Sequence, residues 1–283
     1  MPKLTVQRHT VTTMAQPDWD DAWALATRYN AGTRAAFEAS VRAKKYLVTI
    51  RDRTTRVLVG MGTVDVYPFA ETTGSDGRTP AVSPLAAVAG KPAVSPLAAV
   101  AGKPAVSPSA AVAGKPRRCI IIYTGNMVFE PSVRGFSLIQ RVGFRCYLEA
   151  RLRHPLTPVW LFYDTFSYKS YLMLVNNFSE FWPRYDQPTP SAVADFIDRL
   201  GQHRYAAGWD SGRGLALRGE RRLREGVADV TSELLSNPHV RYFYERNPGC
   251  GEGDMLAVLA PLRMSNWLAV LRRARKRRAN RPS

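Results

Sequence analysis

A tandem repeat in the first half of the chain limits how the remaining residues can fold. The twelve-residue unit AVSPLAAVAGKP spans 81–92 and recurs at 93–104, and AVSPSAAVAGKP follows at 105–116. Each unit holds two prolines and one lysine, and its apolar residues follow neither helical nor strand periodicity. Such a segment cannot bury enough apolar surface to offset the entropy lost on ordering. We therefore predict that 72–116 is a flexible surface insertion between two parts of a folded core.

The composition is that of a globular protein in a reducing compartment. The chain has 283 residues, of which 45% are hydrophobic and 22% are charged, which excludes wholesale disorder. Its three cysteines are odd in number and widely spaced, so a disulfide scaffold is not expected. We find no apolar run as long as a membrane span and no apolar signal region in the first ten residues. These features predict a cytoplasmic protein without a transmembrane segment.

The chain is strongly basic, with a net charge of +17 at pH 7. Seven of its lysines and arginines lie in 272–283, a segment with no acidic residue, and the rest of the chain still carries +10. A body of this charge attracts polyanions, such as nucleic acid, an anionic lipid surface or a cofactor that bears phosphate. The tail fits either a solvated helix end, where the dipole favours cations, or an arm that contacts nucleic acid or anionic membrane.

Periodicity and turn residues predict a succession of helices and strands on both sides of the insertion. Acidic residues early in one stretch and Thr33 at the start of the next favour two N-terminal helices. Two β-prone runs that flank a short polar turn then favour a hairpin. After the insertion, apolar residues with helical spacing favour a helix that ends before Pro155. The predicted elements are helices at 18–30 and 33–46, a hairpin over 46–69, a strand at 118–129, a helix from 138 to 154, a strand at 159–166, helices at 167–182 and 191–205, a loop at 247–254 and a short strand or helix start at 255–262.

The turn between the strand at 118–129 and the next helix is the most informative segment for function. Backbone N–H groups in the first turn of a helix lack intrahelical partners, and the helix dipole adds positive potential there. Gly135 permits close approach of a ligand, Ser137 can donate a hydroxyl and Arg134 adds charge. These residues predict a site for an anionic group such as a diphosphate.

The segment FEPSVRGFSLIQ at 129–140, after the strand CIIIYTGNMVF, resembles the signature segment of the GNAT superfamily of acyl-CoA-dependent N-acyltransferases. The order of the elements around it is similar as well. The resemblance implies an α+β fold with a mixed, mostly antiparallel central sheet flanked by helices, and an α-rich C-terminal extension. It implies acyl transfer from acetyl-CoA or a longer acyl-CoA to an amine acceptor. The residues that it implies as contacts of the co-substrate are Asn126, Met127, Val128, Arg134, Gly135, Phe136, Ser137 and Leu138.

The resemblance also implies a division of the chain into four parts. The N-terminal half of an acyltransferase-like core spans 1–71, and the insertion spans 72–116. The CoA-binding half of the core spans 117–183. The last part, 184–283, is expected to be a C-terminal extension that ends in the basic tail.

Two residues are candidates for catalysis under this resemblance. Asp164, at the end of a strand, is the candidate base that deprotonates the amine, and its alternative role is to cap the helix that starts at Ser167. Tyr171, on that helix, is the candidate acid for the departing thiolate, and its alternative role is core packing. The four histidines are scattered without the spacing of metal ligands, so no metal site is expected.

A function from a different class stays open at this stage. The strand positions 123–127, just before the signature turn, contain no acidic side chain that could serve as a base. The alternative is therefore a non-catalytic basic module on a degenerate acyltransferase fold. Such a module would bind nucleic acid or another anionic surface, with non-specific contacts through 272–283.

Overall fold

The computed structural model describes residues 3–71, 117–133, 138–217, 221–264 and 266–267. The chain divides into two compact units, Met1–Phe69 with Arg118–Ser283, and Ala70–Arg117. The second unit falls almost entirely on residues that are not described, as do the predicted insertion at 72–116 and the basic tail. Within the described ranges, no helix has both the length and the apolar character needed to cross a membrane.

The described residues form helices and strands in the order predicted through the core. The structure adds a strand at the N-terminus, a two-residue strand at 30–31 and five helices and strands between 209 and 246. The helices are α1 (Gln16–Ala26), α2 (Arg34–Arg42), α3 (Leu138–Arg153), α4 (Tyr168–Asn177), α5 (Ser191–Tyr205), α6 (Ser232–Leu235) and α7 (Pro238–Arg246). The strands are β1 (Leu4–Thr10), β2 (Asn30–Ala31), β3 (Tyr46–Asp52), β4 (Leu58–Glu71), β5 (Arg117–Phe129), β6 (Val159–Thr165), β7 (Trp209–Asp210), β8 (Leu215–Ala216), β9 (Arg222–Leu223) and β10 (Met255–Pro261).

Side-chain caps explain where two of the helices begin. Thr33 accepts a hydrogen bond from the backbone N–H of Ala36 at the start of α2, as its position predicts. Ser167 accepts one from the N–H of Lys169 at the start of α4. The helix predicted over 167–182 ends earlier, at Asn177, because Phe178 takes an extended conformation. Trp182, farther along, instead forms a bridge to β10.

One large sheet has the strand order β1-β3-β4-β5-β6-β10-β8-β7. Antiparallel pairs predominate, whereas β5 and β6 run parallel. This arrangement confirms the predicted fold class, a mixed and mostly antiparallel sheet flanked by helices. The strands β4 and β5, which precede and follow the insertion in sequence, are neighbours in this sheet.

The C-terminal part of the chain supplies an internal strand of the sheet. β10 pairs antiparallel with β6 over the registers Leu256↔Thr165 to Pro261↔Trp160, and it lies between β6 and β8. The apolar run at 255–262, which fits either a strand or a helix start, is therefore a strand. The segment 184–283 is thus not a simple extension of a core that is complete at residue 183, because β10 belongs to the central sheet.

Alternating side chains of β5 point to opposite faces of the sheet, as the pleat requires. Ile120 and Ile122 pack against α3, α4 and α7 on one face. Ile121 and Tyr123 face the opposite side, where α5 packs. A separate apolar cluster on that second side joins α1 and α2 to β3 and β4. The functional site described below lies where β5 and β6 end.

Candidate active site

The parallel pair β5–β6 stops before either strand ends. Its registers run from Ile120↔Val159 to Thr124↔Tyr163, although β5 continues to Phe129. At this point Asn126 has a φ of 51°, a left-handed conformation that is uncommon for residues other than glycine. Its side-chain amide lies 3.3 Å from the Ser40 hydroxyl on α2. Among the described residues, no strand pairs with 125–128 on the side that faces β6.

A cavity of about 540 Å³ lies in the gap between the two strands. This volume is within the range typical of small-molecule sites. Its walls come from the separated ends of β5 and β6, from α3 and α4, and from two loops. The lining residues include Tyr29, Asn30, Gly125, Asn126, Met127, Val128, Phe129, Gln140, Asp164, Thr165, Ser167, Lys169, Ser170, Met173, Asn177, Arg221, Leu223, Val227 and Met255.

Two loops that border the cavity are fastened to each other and to the end of β5. β2 pairs antiparallel with β9, which joins the α1–α2 connection to the segment around Arg222–Leu223. The Tyr29 carbonyl accepts a hydrogen bond from the N–H of Arg224. The Tyr29 hydroxyl donates to Glu130 at 2.8 Å, and Arg28 pairs with the same carboxylate at 2.7 Å. These bonds fix the position of the loop residues on the cavity wall.

Asp164 is held in place by Tyr123 on the neighbouring strand. The Tyr123 hydroxyl donates to Asp164 Oδ2 at 2.9 Å. Burial raises the pKa of Tyr123 far above its ordinary value, so the hydroxyl stays protonated and remains a donor. Among the described residues, no hydrogen bond to the other oxygen of Asp164, Oδ1, is found. The bond from Tyr123 therefore fixes the orientation of a carboxylate that lines the cavity.

Three cationic side chains surround Tyr123. The Arg204 guanidinium, from the end of α5, lies 3.4 Å from the centre of the Tyr123 ring, which is a close cation–π contact. The Lys44 Nζ lies 5.3 Å from the same ring centre and donates to the Ser40 carbonyl at 3.2 Å. Arg221, the third cation, lies on the cavity wall.

Lys44 is unusual because its ammonium group is buried. The residue is only 8% exposed. Desolvation, followed by repulsion from Arg204, lowers the pKa of Lys44 to about 7, although Asp164 and Asp65 act in the opposite direction. The lysine is therefore close to half protonated at neutral pH.

The predicted site residues fall into three groups. Asn126, Met127, Val128 and Asp164 line the cavity together. Arg134, Gly135, Phe136 and Ser137 lie outside the described residues, and Leu138 is described only as the first residue of α3. Tyr171 is fully buried, its hydroxyl donates to the Pro183 carbonyl at 3.0 Å, and it is not among the lining residues. The contacts of Tyr171 match its alternative role in core packing.

Several cavity residues were not predicted from sequence. Tyr29, Arg221 and Leu223 belong to connections that carry no motif, and they reach the cavity only because β2 pairs with β9. Lys44 and Arg204 follow or end helices, where cations are common for reasons of helix dipole alone. The one available signal was the strongly basic composition, which does not indicate which cations converge.

A second, smaller cavity of about 80 Å³ lies between the sheet and helices α3 and α4. Its lining is mainly apolar and includes Val48, Val64, Ile122, Val142, Cys146, Leu161, Phe178, Leu262 and Trp267. It shares Met127, Gln140, Met173 and Asn177 with the first cavity. An apolar space therefore adjoins the gap between β5 and β6.

The chain has low similarity to known proteins. No family model matches the chain, and no curated protein matches its sequence. Among solved structures, a bacterial toxin is 13% identical, over 64% of this chain and 83% of its own length, with a TM-score of 0.32. Escherichia coli ElaA is 12% identical over 66% and 95%, with a TM-score of 0.29. A conserved protein from Enterococcus faecalis V583, described as a probable N-acyltransferase, is 10% identical over 91% and 65%, with a TM-score of 0.36. Similarities this low support no functional assignment.

Proposed function

We propose that this protein transfers an acyl group from acyl-CoA to an amine acceptor. The observation that carries the proposal is the separation of the parallel strands β5 and β6 at a cavity that has a free strand edge on one side and a carboxylate on the other. A chain with amide groups can pair with an open strand edge as an added strand would. The pantetheine arm of CoA has two such amides, and 125–128 offers the edge.

The proposal gives each part of the site a role. Main-chain groups of Asn126, Met127 and Val128 orient the arm and the acyl carbonyl. On sequence grounds, Arg134, Gly135, Phe136, Ser137 and Leu138 hold the diphosphate, since they lie between β5 and α3 and include the start of that helix. Tyr171 receives no role, because its hydroxyl is engaged in the core.

The chemistry is direct transfer while both substrates are bound. An acyl thioester supplies an activated carbonyl carbon. Its C–S bond breaks as the C–N bond to the amine forms, and the sulfur leaves as the CoA thiolate, which takes up a proton from water. Asp164 accepts the proton that the amine must lose, through the oxygen that Tyr123 leaves free. Tyr123 keeps the carboxylate aimed at the cavity. Holding both reactants in the gap supplies much of the rate.

The length of the acyl group is a further part of the proposal. The apolar cavity that adjoins the gap supports a donor longer than acetyl-CoA, because its lining is mainly apolar and it shares Met127 and Met173 with the main cavity. One additional methylene in a fitted apolar pocket changes discrimination by roughly 10- to 200-fold. We therefore expect butyryl-CoA to be used at least as well as acetyl-CoA.

The proposal is tested by measuring CoA binding and thiol release on the same protein. We expect acetyl-CoA and butyryl-CoA to bind in calorimetry and to release CoA thiol when amines are added. Asp164→Asn should lower kcat by roughly 100-fold or more without changing the Kd for CoA, since a positioned base contributes about that factor. Asp195→Asn, which removes an exposed carboxylate on α5, is the matched control and should change neither value.

Two results would overturn the proposal in different ways. Absence of binding to any CoA ester would remove the acyltransferase function, and salt-sensitive retention on DNA in the same preparation would favour the alternative binding module. Normal binding with full activity of Asp164→Asn would leave the function standing and remove Asp164 as the base.

A further inference from the structure

Three basic side chains and two carboxylates form a polar group next to the cavity. The basic side chains are those of Lys44, Arg204 and Arg221, which interact electrostatically with Tyr123 or with one another. The carboxylates that interact with Lys44 are Asp65 and Asp164. Among the ion pairs of the described residues, none includes any of these three cations. Buried cations are normally paired, since desolvation without a counter-charge is costly. In the part of the chain that the structure describes, Arg204 and Arg221 are therefore left without a direct counter-ion, which an anionic ligand would supply.

Arg221 is the cation that can reach a ligand. It lines the main cavity beside Asp164, and among the described residues no hydrogen-bond partner is found for it. Desolvation lowers the pKa of Arg221, although its guanidinium remains charged at any physiological pH. The Arg204 guanidinium is instead engaged with Tyr123, through a hydrogen bond and the cation–π contact, although its buried Nε has no hydrogen-bond partner among the described residues.

Arg221 lies on the cavity wall, and its assigned partner differs from the CoA diphosphate. Arg221 interacts electrostatically with Tyr123 and Asp164, and its neighbour in sequence, β9, is paired with β2. An anionic group bound to Arg221 would therefore lie beside the carboxylate that takes the proton of the amine. The CoA diphosphate is instead assigned to the turn before α3.

We propose that the acceptor amine carries an anionic group, a carboxylate or a phosphate, which Arg221 binds at the cavity wall while Lys44 and Arg204 add positive potential behind it. This inference rests on the proposed acyl transfer and names the class of its acceptor. An arginine suits both anions because its planar guanidinium donates two parallel hydrogen bonds to either. The bound anion would also place the amine of a small acceptor near Asp164.

The test compares acceptors that differ only in the anionic group. Glycine is paired with glycinamide, and O-phosphoethanolamine with ethanolamine, with acetyl-CoA as donor and thiol release as the readout. We expect kcat/KM to be at least tenfold higher for the anionic member of at least one pair. The pair that shows the preference identifies the anion as carboxylate or phosphate.

Variants of Arg221 assign the preference to this residue. Arg221→Gln should raise the KM for the anionic acceptor at least tenfold and leave the Kd for CoA unchanged, and Arg221→Lys should recover part of the loss. Arg222→Gln is the matched control, because Arg222 is the exposed neighbour and does not line the cavity. A circular dichroism spectrum and melting temperature close to those of the wild type show that each variant is folded.

The outcomes separate this inference from the function on which it rests. Equal use of neutral and anionic acceptors, or a preference that survives in Arg221→Gln, would overturn the inference and leave acyl transfer intact. Transfer to none of the four amines would count against both. An Arg221→Gln variant that loses affinity for CoA itself would place the CoA phosphates at Arg221 and overturn the inference.

Discussion

At the scale of single residues, the buried amine of Lys44 links the site to the stability of the fold. The pKa of Lys44 is about 7 in the folded protein and close to 10.4 for an unfolded chain. Between these values the unfolded state binds more protons, so the contribution of Lys44 to stability rises with pH. Below pH 7 both states are protonated, and the full cost of burying the charge is present.

Replacing Lys44 with methionine should remove this pH dependence. The stability of Lys44→Met relative to the wild type should be greater at pH 6 than at pH 9. We expect the difference in free energy of unfolding, variant minus wild type, to be about 2 kcal/mol larger at pH 6. Urea denaturation of both proteins at the two pH values measures the difference. A difference between variant and wild type that is the same at pH 6 and pH 9 would show that Lys44 is not a desolvated amine.

Some residues of the site were predictable because they are defined by local sequence. Asn126, Met127 and Val128 lie at the end of a strongly β-prone run, and Asp164 ends the next one, so the parallel pair brings them together. Arg221 could not be predicted in the same way. Its place on the cavity wall depends on the β2–β9 pairing between segments far apart in the chain, which no local pattern encodes.

At the scale of secondary-structure elements, β10 determines whether the C-terminal part is separable from the core. Leu259 on β10 is fully buried, its backbone pairs with Trp182, and it lies opposite Phe162 of β6. We expect Leu259→Ala to lower the free energy of unfolding by about 2 to 5 kcal/mol, as for other buried leucines. The unfolding transition should remain single when followed by fluorescence and by circular dichroism.

Leu156→Ala is the matched control, because the same atoms are removed from a side chain that is 94% exposed. It should change stability by less than about 0.5 kcal/mol. If Leu259→Ala instead produced an early transition for part of the chain while the rest unfolded as in the wild type, the C-terminal part would be an independent unit.

Sequence patterns predicted the individual elements better than their arrangement in the sheet. The helix starts at Thr33 and Ser167 and the strand at 118–129 are encoded by local sequence, and the structure confirms them. The length of α4 and the place of β10 were not predicted. The place of β10 depends on pairing with β6, which is distant in sequence, and the chain after α4 is extended and reaches β10 at Trp182.

At the scale of the whole molecule, the site lies where the sheet opens between two helical layers. β5 and β6 separate at the cavity. The β2–β9 pair joins loops from both halves of the chain at the cavity wall. The end of α5 places Arg204 against the Tyr123 ring. The overall charge of +17 predicted an anionic partner without locating the contact. The structure concentrates three of those charges around Tyr123.

The central claim is that acyl-CoA binds in the gap between β5 and β6, and amide hydrogen exchange tests it most directly. Exchange is measured residue by residue, with and without saturating acetyl-CoA. We expect slower exchange of the amides in 125–128, an edge that no described strand pairs with on the side of β6, and in 164–170 on the opposite wall. Binding that protects amides elsewhere and leaves 125–128 unchanged would contradict the claim.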